Sequence, residues 1–103
     1  MERSLTVLLP VHNAQATLAA TVAEVLEVVS ELTGRFELVI VDDGSADATS
    51  EVADELTHRY PQVHAIRHGD CLGREAAVRT GLRHSSGDIV FVQDADLEYD
   101  PNE

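Results

Sequence analysis

Basic side chains are scarce in this chain, with seven arginines and no lysine against nineteen acids, a formal net charge of −12 over 103 residues. An acidic surface with no basic stripe repels a phosphate backbone, which argues against nucleic acid as a partner. Any anionic ligand must be met locally, by a metal ion or a few arginines. Cysteine occurs once, at Cys71, so no intrachain disulfide can form. A lone thiol is more often a packing residue than a nucleophile. Long apolar runs are missing too, because Val11-His12-Asn13 interrupts the N-terminal run too soon for a signal peptide or membrane span. A cytoplasmic location is therefore expected. The histidines at 12, 58, 64, 68 and 84 lack the spacing of a zinc site and read as surface or loop residues, His12 excepted. No glycine-rich fingerprint follows the first apolar run, no phosphate-binding GxxxxGK[ST] loop occurs, and no serine elbow or cysteine–histidine pair with a supporting acid can be assembled.

What is present reads as one folded domain. Hydrophobic residues make up 44% and charged residues 25%, the balance of a globular protein rather than a disordered one. Leu5 to Val11 reads as a strand that Pro10 brings to a close, and Asn13 as the cap of a helix starting near Ala14. In that helix Leu18, Val22, Val25, Leu26, Val29 and Leu32 recur at helical spacing, and Gly34 is the stop. Phe36 to Val41 reads as a second strand, Asp42 to Ser45 as a turn, and Ala46 to Arg59 as a helix capped by Ser45, with Val52, Ala53, Leu56 and Tyr60 inward. Val63 to Ile66 is a short third strand and Arg67 to Leu72 a loop. Gly73 to His84 reads as a helix with Ala77, Val78, Gly81 and Leu82 inward, and Ile89 to Gln93 as a buried fourth strand. Strand and helix alternate, which predicts a doubly wound, mostly parallel α/β sheet of order β-α-β-α-β-α-β.

Parallel strands place all their C-terminal ends on one edge of the sheet, where ligands of such sheets bind. Three polar clusters fall on that edge: Pro10 to Asn13, Asp42 to Ser45, and Asp94 to Glu98. Asp94, Asp96 and Glu98 supply hard oxygen ligands suited to magnesium, manganese or calcium, and a divalent cation there suits a diphosphate. The alternative is a solvated acidic tail. Asp42 and Asp43 can accept hydrogen bonds from a nucleobase or ribose, or merely build an Asx-type turn. Arg74 and Arg79 can add positive charge near a phosphate, although Arg79 fits a solvated helix face equally well. A response-regulator receiver would carry its acidic pair after the first strand, whereas here the pair follows the second.

Leu9-Pro-Val-His-Asn13, Val39-Ile-Val-Asp-Asp-Gly-Ser45, Ala76-Ala-Val-Arg-Thr-Gly81 and the block from Gly87 to Pro101 together resemble family 2 glycosyltransferases of the glycosyltransferase A fold, a Rossmann-like architecture. The last block is most similar to polyprenyl-phosphate (dolichyl-phosphate) mannosyl or glucosyl transferases. The resemblance implies transfer of a sugar from a nucleotide diphosphate sugar, of GDP-mannose or UDP-glucose type, to a polyprenyl phosphate or another glycan or lipid acceptor. It places Pro10, Val11, His12 and Asn13 around the nucleobase, with Ile40, Asp42 and Asp43 on its other side and Arg74 near the phosphates. Asp94-Ala95-Asp96 becomes the DxD motif. Asp94 and Ala95 then lie by the nucleotide, and Asp94, Asp96 and Glu98 hold magnesium or manganese.

Departures from the family pattern are His12 for a usual tyrosine, Ala14 for a usual glutamate, and Arg74-Glu75 for a usual Lys-Gly. The resemblance further implies that residues 1–103 form a single nucleotide-sugar-binding subdomain cut short after the DxD motif. The general base is then expected beyond Glu103, the chain alone binds donor without transferring sugar, and the full-length enzyme works at the cytoplasmic face of the membrane. Truncation would also expose a sheet edge at the fourth strand, through which a homodimer is expected. The rival expectation is a non-catalytic binding or assembly module of the same fold.

Overall fold

The computed structural model of the protein describes residues 3–94. Four strands and three helices alternate along the chain: β1 (Leu5–Val11), α1 (Leu18–Leu32), β2 (Phe36–Asp43), α2 (Thr49–Arg59), β3 (Val63–His68), α3 (Arg74–His84) and β4 (Ile89–Val92). They form one sheet of order β3-β2-β1-β4 with every neighbouring pair parallel. The predicted α/β class is borne out. The chain steps outward from β1 to β3 and then crosses back to β4, so the order reverses beside β1, the kind of switch point at which a crevice opens above the strand ends.

Side-chain alternation along the two central strands explains why helices lie on both faces. Leu5, Val7, Leu9 and Val11 of β1 join Leu38 and Ile40 of β2 beneath α1 and α2, where Leu18, Val22, Val29, Ala53 and Leu56 complete the core. Leu8, Val39 and Val41 point the other way, onto Ala77 and the partly buried Val78 of α3. Such strands, covered on both faces, carry continuous apolar runs. Gly81 lets α3 approach closely, since a Cβ there would lie 3.0 Å from a Leu8 methyl.

Several boundaries differ from the sequence reading. Residues 14–17 form a turn before α1 rather than its first turn, because Ala14 and its neighbours are drawn to the α2 entrance. β2 and β3 each run two residues further than expected, since pairing continues through Asp42 with Arg67 and Asp43 with His68. Acidic residues are poor strand formers, and here cross-strand partners override propensity. Leu82 is 48% exposed rather than inward. β4 read as a buried strand, but Phe91 is 58% exposed; among the described residues β4 stands at the sheet edge, where an exposed edge was expected. Its start is nevertheless fastened to β1, for Ser4 N donates to Asp88 Oδ2 at 3.1 Å and Asp88 N to Ser4 Oγ at 3.0 Å.

This division between centre and edge is testable by chemical denaturation. Leu8→Ala removes a fully buried side chain and should cost about 2–5 kcal/mol. Phe91→Ala, at the exposed edge, should cost under about 1 kcal/mol. Equal losses would show that β4 is covered in solution.

Candidate functional site at the strand ends

The C-terminal rim of the sheet is built from the β1–α1, β2–α2 and β3–α3 connections. Register sets its layout: Val11 pairs with Asp42 and Asp42 with Arg67, so these three form one row across β1, β2 and β3. Asp42 and Asp43, being consecutive on a strand, face opposite sides of the sheet.

The first two connections are stitched together through short polar side chains. Asn13, at φ 50°, does not cap α1. Its amide donates to Ser45 Oγ at 2.8 Å, and its Oδ1 accepts from Ala46 N at 2.9 Å. Asn tolerates this left-handed backbone better than most residues. Ser45 likewise does not cap α2, since its hydroxyl donates to Asp42 Oδ1 at 2.5 Å. Ala14 N donates to Thr49 Oγ1 at 2.8 Å, and Thr49 N to Asp47 Oδ1 at 2.9 Å. His12 donates through Nδ1 to the Asp43 carbonyl at 2.8 Å and accepts through Nε2 from the Asn13 amide group at 3.3 Å, which assigns its neutral tautomer.

Asp42 and Asp43 differ sharply in what holds them. Asp42 is 1% exposed; its Oδ1 accepts from Ser45, whereas its Oδ2 is buried and accepts no hydrogen bond, with Arg67 Nε 3.9 Å away. A buried carboxylate oxygen without a donor is costly, so this atom is the acceptor of the rim most in want of a partner. Asp43 Oδ1 accepts from His68 Nδ1 and Leu72 N, both at 2.8 Å, and its Oδ2 from Gly73 N at 2.9 Å and the Cys71 thiol at 3.4 Å. Burial pushes the Asp43 pKa up, but hydrogen bonds from His68, Leu72, Gly73 and Cys71 outweigh it and bring it from 3.8 to about 2. Asp43 therefore anchors the β3–α3 loop. The same loop presses on the β2–α2 turn: Gly44 has φ 63°, and a Cβ there would lie 2.5 Å from the Asp70 carbonyl carbon.

Arg74 opens α3 directly after this loop. Its guanidinium forks onto Asp94, Nε to Oδ1 at 2.7 Å and the terminal nitrogen to Oδ2 at 3.1 Å, and the pair is about half exposed. The carboxylate beside it raises the Arg74 pKa. Gln93 N donates to Leu8 O at 2.8 Å, which leaves Asp94 just past β4.

Of the residues expected around a nucleotide, His12, Asn13, Asp42, Asp43, Arg74 and Asp94 are thus distributed along one rim. Pro10 and Val11 are buried at the end of β1. Ile40 is a correction: it is wholly buried in the core under α1 and α2, where a ligand cannot touch its side chain. Ala95, Asp96 and Glu98 lie outside the described residues. Among the described residues no group of three or more histidines, cysteines or acids is arranged to hold a metal ion. Asp94 instead pairs with Arg74. Arg79, offered as a second phosphate-facing cation, has no rim contact among the interactions described. His68 is the residue that sequence reasoning missed. It is only 9% exposed and lies between Asp43 and Thr80, and the signal was the parallel register, which sets His68 beside Asp43 once β3 is extended.

The architecture belongs with a known class. The mannosyltransferase PcManGT from Pyrobaculum calidifontis, solved in complex with GDP-Man and Mn2+, superimposes with a TM-score of 0.74 at 28% identity, over 93% of this chain and 28% of that one. S. aureus TarS (residues 1–349) gives a TM-score of 0.75 over 90% of this chain and 27% of its own, and at 20% identity it shares the fold alone. The glycosyltransferase A fold expected from the resemblance is borne out. The Glycosyl transferase family 2 profile matches residues 6–103, and the chain belongs to that family. Among its relatives, the dolichol-phosphate mannosyltransferase of Pyrococcus furiosus is 37% identical over 95 residues, covering 92% of this chain. The undecaprenyl-phosphate 4-deoxy-4-formamido-L-arabinose transferase of Edwardsiella ictaluri is 33% identical over 98 residues, covering 94%. The chain spans 26% and 30% of the lengths of these two.

Asp43 links the rim to pH. Its folded pKa is depressed, so its stabilising contribution is present above 3.8 and is lost as pH falls toward 2. A depression of this size corresponds to about 2 kcal/mol. Asp43→Asn should destabilise the protein by about 1–3 kcal/mol at neutral pH and flatten the fall in melting temperature between about pH 5 and pH 2. A variant melting curve with the wild-type acid dependence would remove Asp43 from this role.

Proposed function

We infer that the chain is the donor-binding part of a metal-dependent glycosyltransferase that takes its sugar from a nucleotide diphosphate sugar of GDP-mannose or UDP-glucose type. The acceptor of the whole enzyme is a polyprenyl phosphate or another glycan or lipid. The observation that carries this reading is the gathering of His12, Asn13, Asp42, Arg74 and Asp94 on one sheet rim within a member of glycosyl transferase family 2. The named activities of the relatives support the reaction class, and the GDP-Man and Mn2+ complex of PcManGT supports donor and metal together.

In this reading the unpaired Asp42 Oδ2 accepts from the base or ribose, and Arg74 turns from Asp94 to the diphosphate. Asp94, Asp96 and Glu98 would hold magnesium or manganese, and the ion would supply positive charge to a departing nucleoside diphosphate. Residues 1–103 act as a nucleotide-sugar-binding unit, the base that activates the acceptor lies in further polypeptide, and the whole enzyme works at the cytoplasmic face of a membrane. No helix among the described residues is long and apolar enough to cross one. Among the described residues β4 is an edge strand, which supports pairing of two chains, and a strictly monomeric protein at high concentration would remove that part of the proposal.

Calorimetric titration of the 103-residue chain with GDP and with UDP, with and without manganese, tests the reading. Binding of one nucleotide should strengthen at least about tenfold with manganese and weaken about tenfold in Arg74→Ala, the loss of one charge-assisted contact. Sugar transfer to a polyprenyl phosphate should be absent. Failure of both nucleotides to bind with manganese would leave the assembly-module alternative.

A further inference from the structure

His68 is a buried histidine with both ring nitrogens engaged, and nothing in the donor-binding reading uses it. Its Nδ1 lies 2.8 Å from Asp43 Oδ1 and its Nε2 2.8 Å from Thr80 Oγ1. A carboxylate only accepts, so Nδ1 carries the proton and, in the neutral ring, Nε2 accepts from the Thr80 hydroxyl. The ring thereby ties the end of β3 to the end of β2 and to the middle of α3.

Beyond Asp43 the connection continues. The Asp43 carboxylate holds Leu72 N and Gly73 N, the last two amides before α3. Gly73, at φ 101°, is the N-cap residue, and its carbonyl accepts from Ala77 N at 3.1 Å. Arg74 is the next residue, the first of α3, and reaches across to Asp94. A carboxylate free to rotate would lose its fit to two adjacent backbone donors, and the entry of α3, with Arg74 on it, would shift. Ordering of one ligand-facing group by a partner behind it is the usual way such sites hold their geometry.

We propose that His68 is a positioning residue, which fixes the Asp43 carboxylate so that the loop from Gly69 to Gly73 presents Arg74 to the diphosphate of the donor. The effect on ligand rests on the donor-binding reading; the effect on the loop does not.

Two measurements on the full chain separate these. Amide exchange reports the loop, and calorimetry with GDP or UDP plus manganese reports the site. In His68→Leu the Leu72 and Gly73 amides should exchange about tenfold faster, and nucleotide should bind about tenfold more weakly, the loss of roughly one hydrogen bond. His68→Asn, whose amide nitrogen can take the place of Nδ1, should recover most of both. The double variant H68L/R74A should bind no more weakly than R74A alone, because both act through one contact. Should H68L fail to fold, T80V, which removes only the Nε2 partner, carries the same comparison with R74A. Unchanged exchange at Leu72 and Gly73, or losses from H68L and R74A that simply add, would overturn the proposal. If the wild-type chain binds neither nucleotide, the donor reading fails and the exchange data alone decide whether His68 sets the loop.

Discussion

Parallel pairing of β1 with a partner on each side is the constraint on which the remaining structure depends. β1 is buried along its whole length, and its alternate side chains enter two different cores. A shift of one residue would exchange those faces, so the register is strongly specified. Fixed register then determines which residues meet at the rim: Val11, Asp42 and Arg67 in one row, Asp43 and His68 in the next. Chemistry scattered over more than eighty residues of sequence, from His12 to Asp94, is brought to one edge by the parallel register and then tied together by side chains.

An excess of acid is handled at that edge by supplying donors rather than cations. Asp43 takes two backbone amides, an imidazole and a thiol; Asp47 takes Thr49 and Gln15; Asp42 takes Ser45. Backbone amides and hydroxyls stabilise a carboxylate without the cost of desolvating a second charge. Only the Arg74–Asp94 fork is a close arginine–carboxylate pair on the described rim, and its half exposure keeps it exchangeable. The rim therefore combines a rigid part, centred on Asp43, with a part able to change partners.

Much of this was legible in the sequence because apolar runs of strand length alternated with helical periodicity, and because three polar clusters each followed a strand. The chain order of β-α units, most of the inward faces of α1 and α2, and the placing of His12, Asn13 and Asp42 at one end of the sheet came from that pattern, although Leu32 of α1 is 69% exposed. What was not legible depended on tertiary context. Ser45 and Asn13 read as helix caps by type, yet each found a partner more than thirty residues away. β3 read short because Arg67 and His68 are polar, whereas their strand neighbours are the buried Asp42 and Asp43. Ile40 read as a ligand neighbour from the motif containing it, but strand parity turns it into the core. The apolar run of β4 read as a buried strand, whereas Ile89, Phe91 and Val92 are all exposed.

The central claim is that the strand-end rim is where a donor nucleotide sits. The most direct measurement is a map of amide chemical-shift changes when manganese is replaced by magnesium, to avoid paramagnetic loss, and the nucleoside diphosphate that binds is added. Changes confined to residues 12–13, 42–46 and 69–74, around the end of β4 and in the segment after it, are the expected result. Changes centred on the opposite edge, near Ser4, Glu37 and Ser86, would contradict the account.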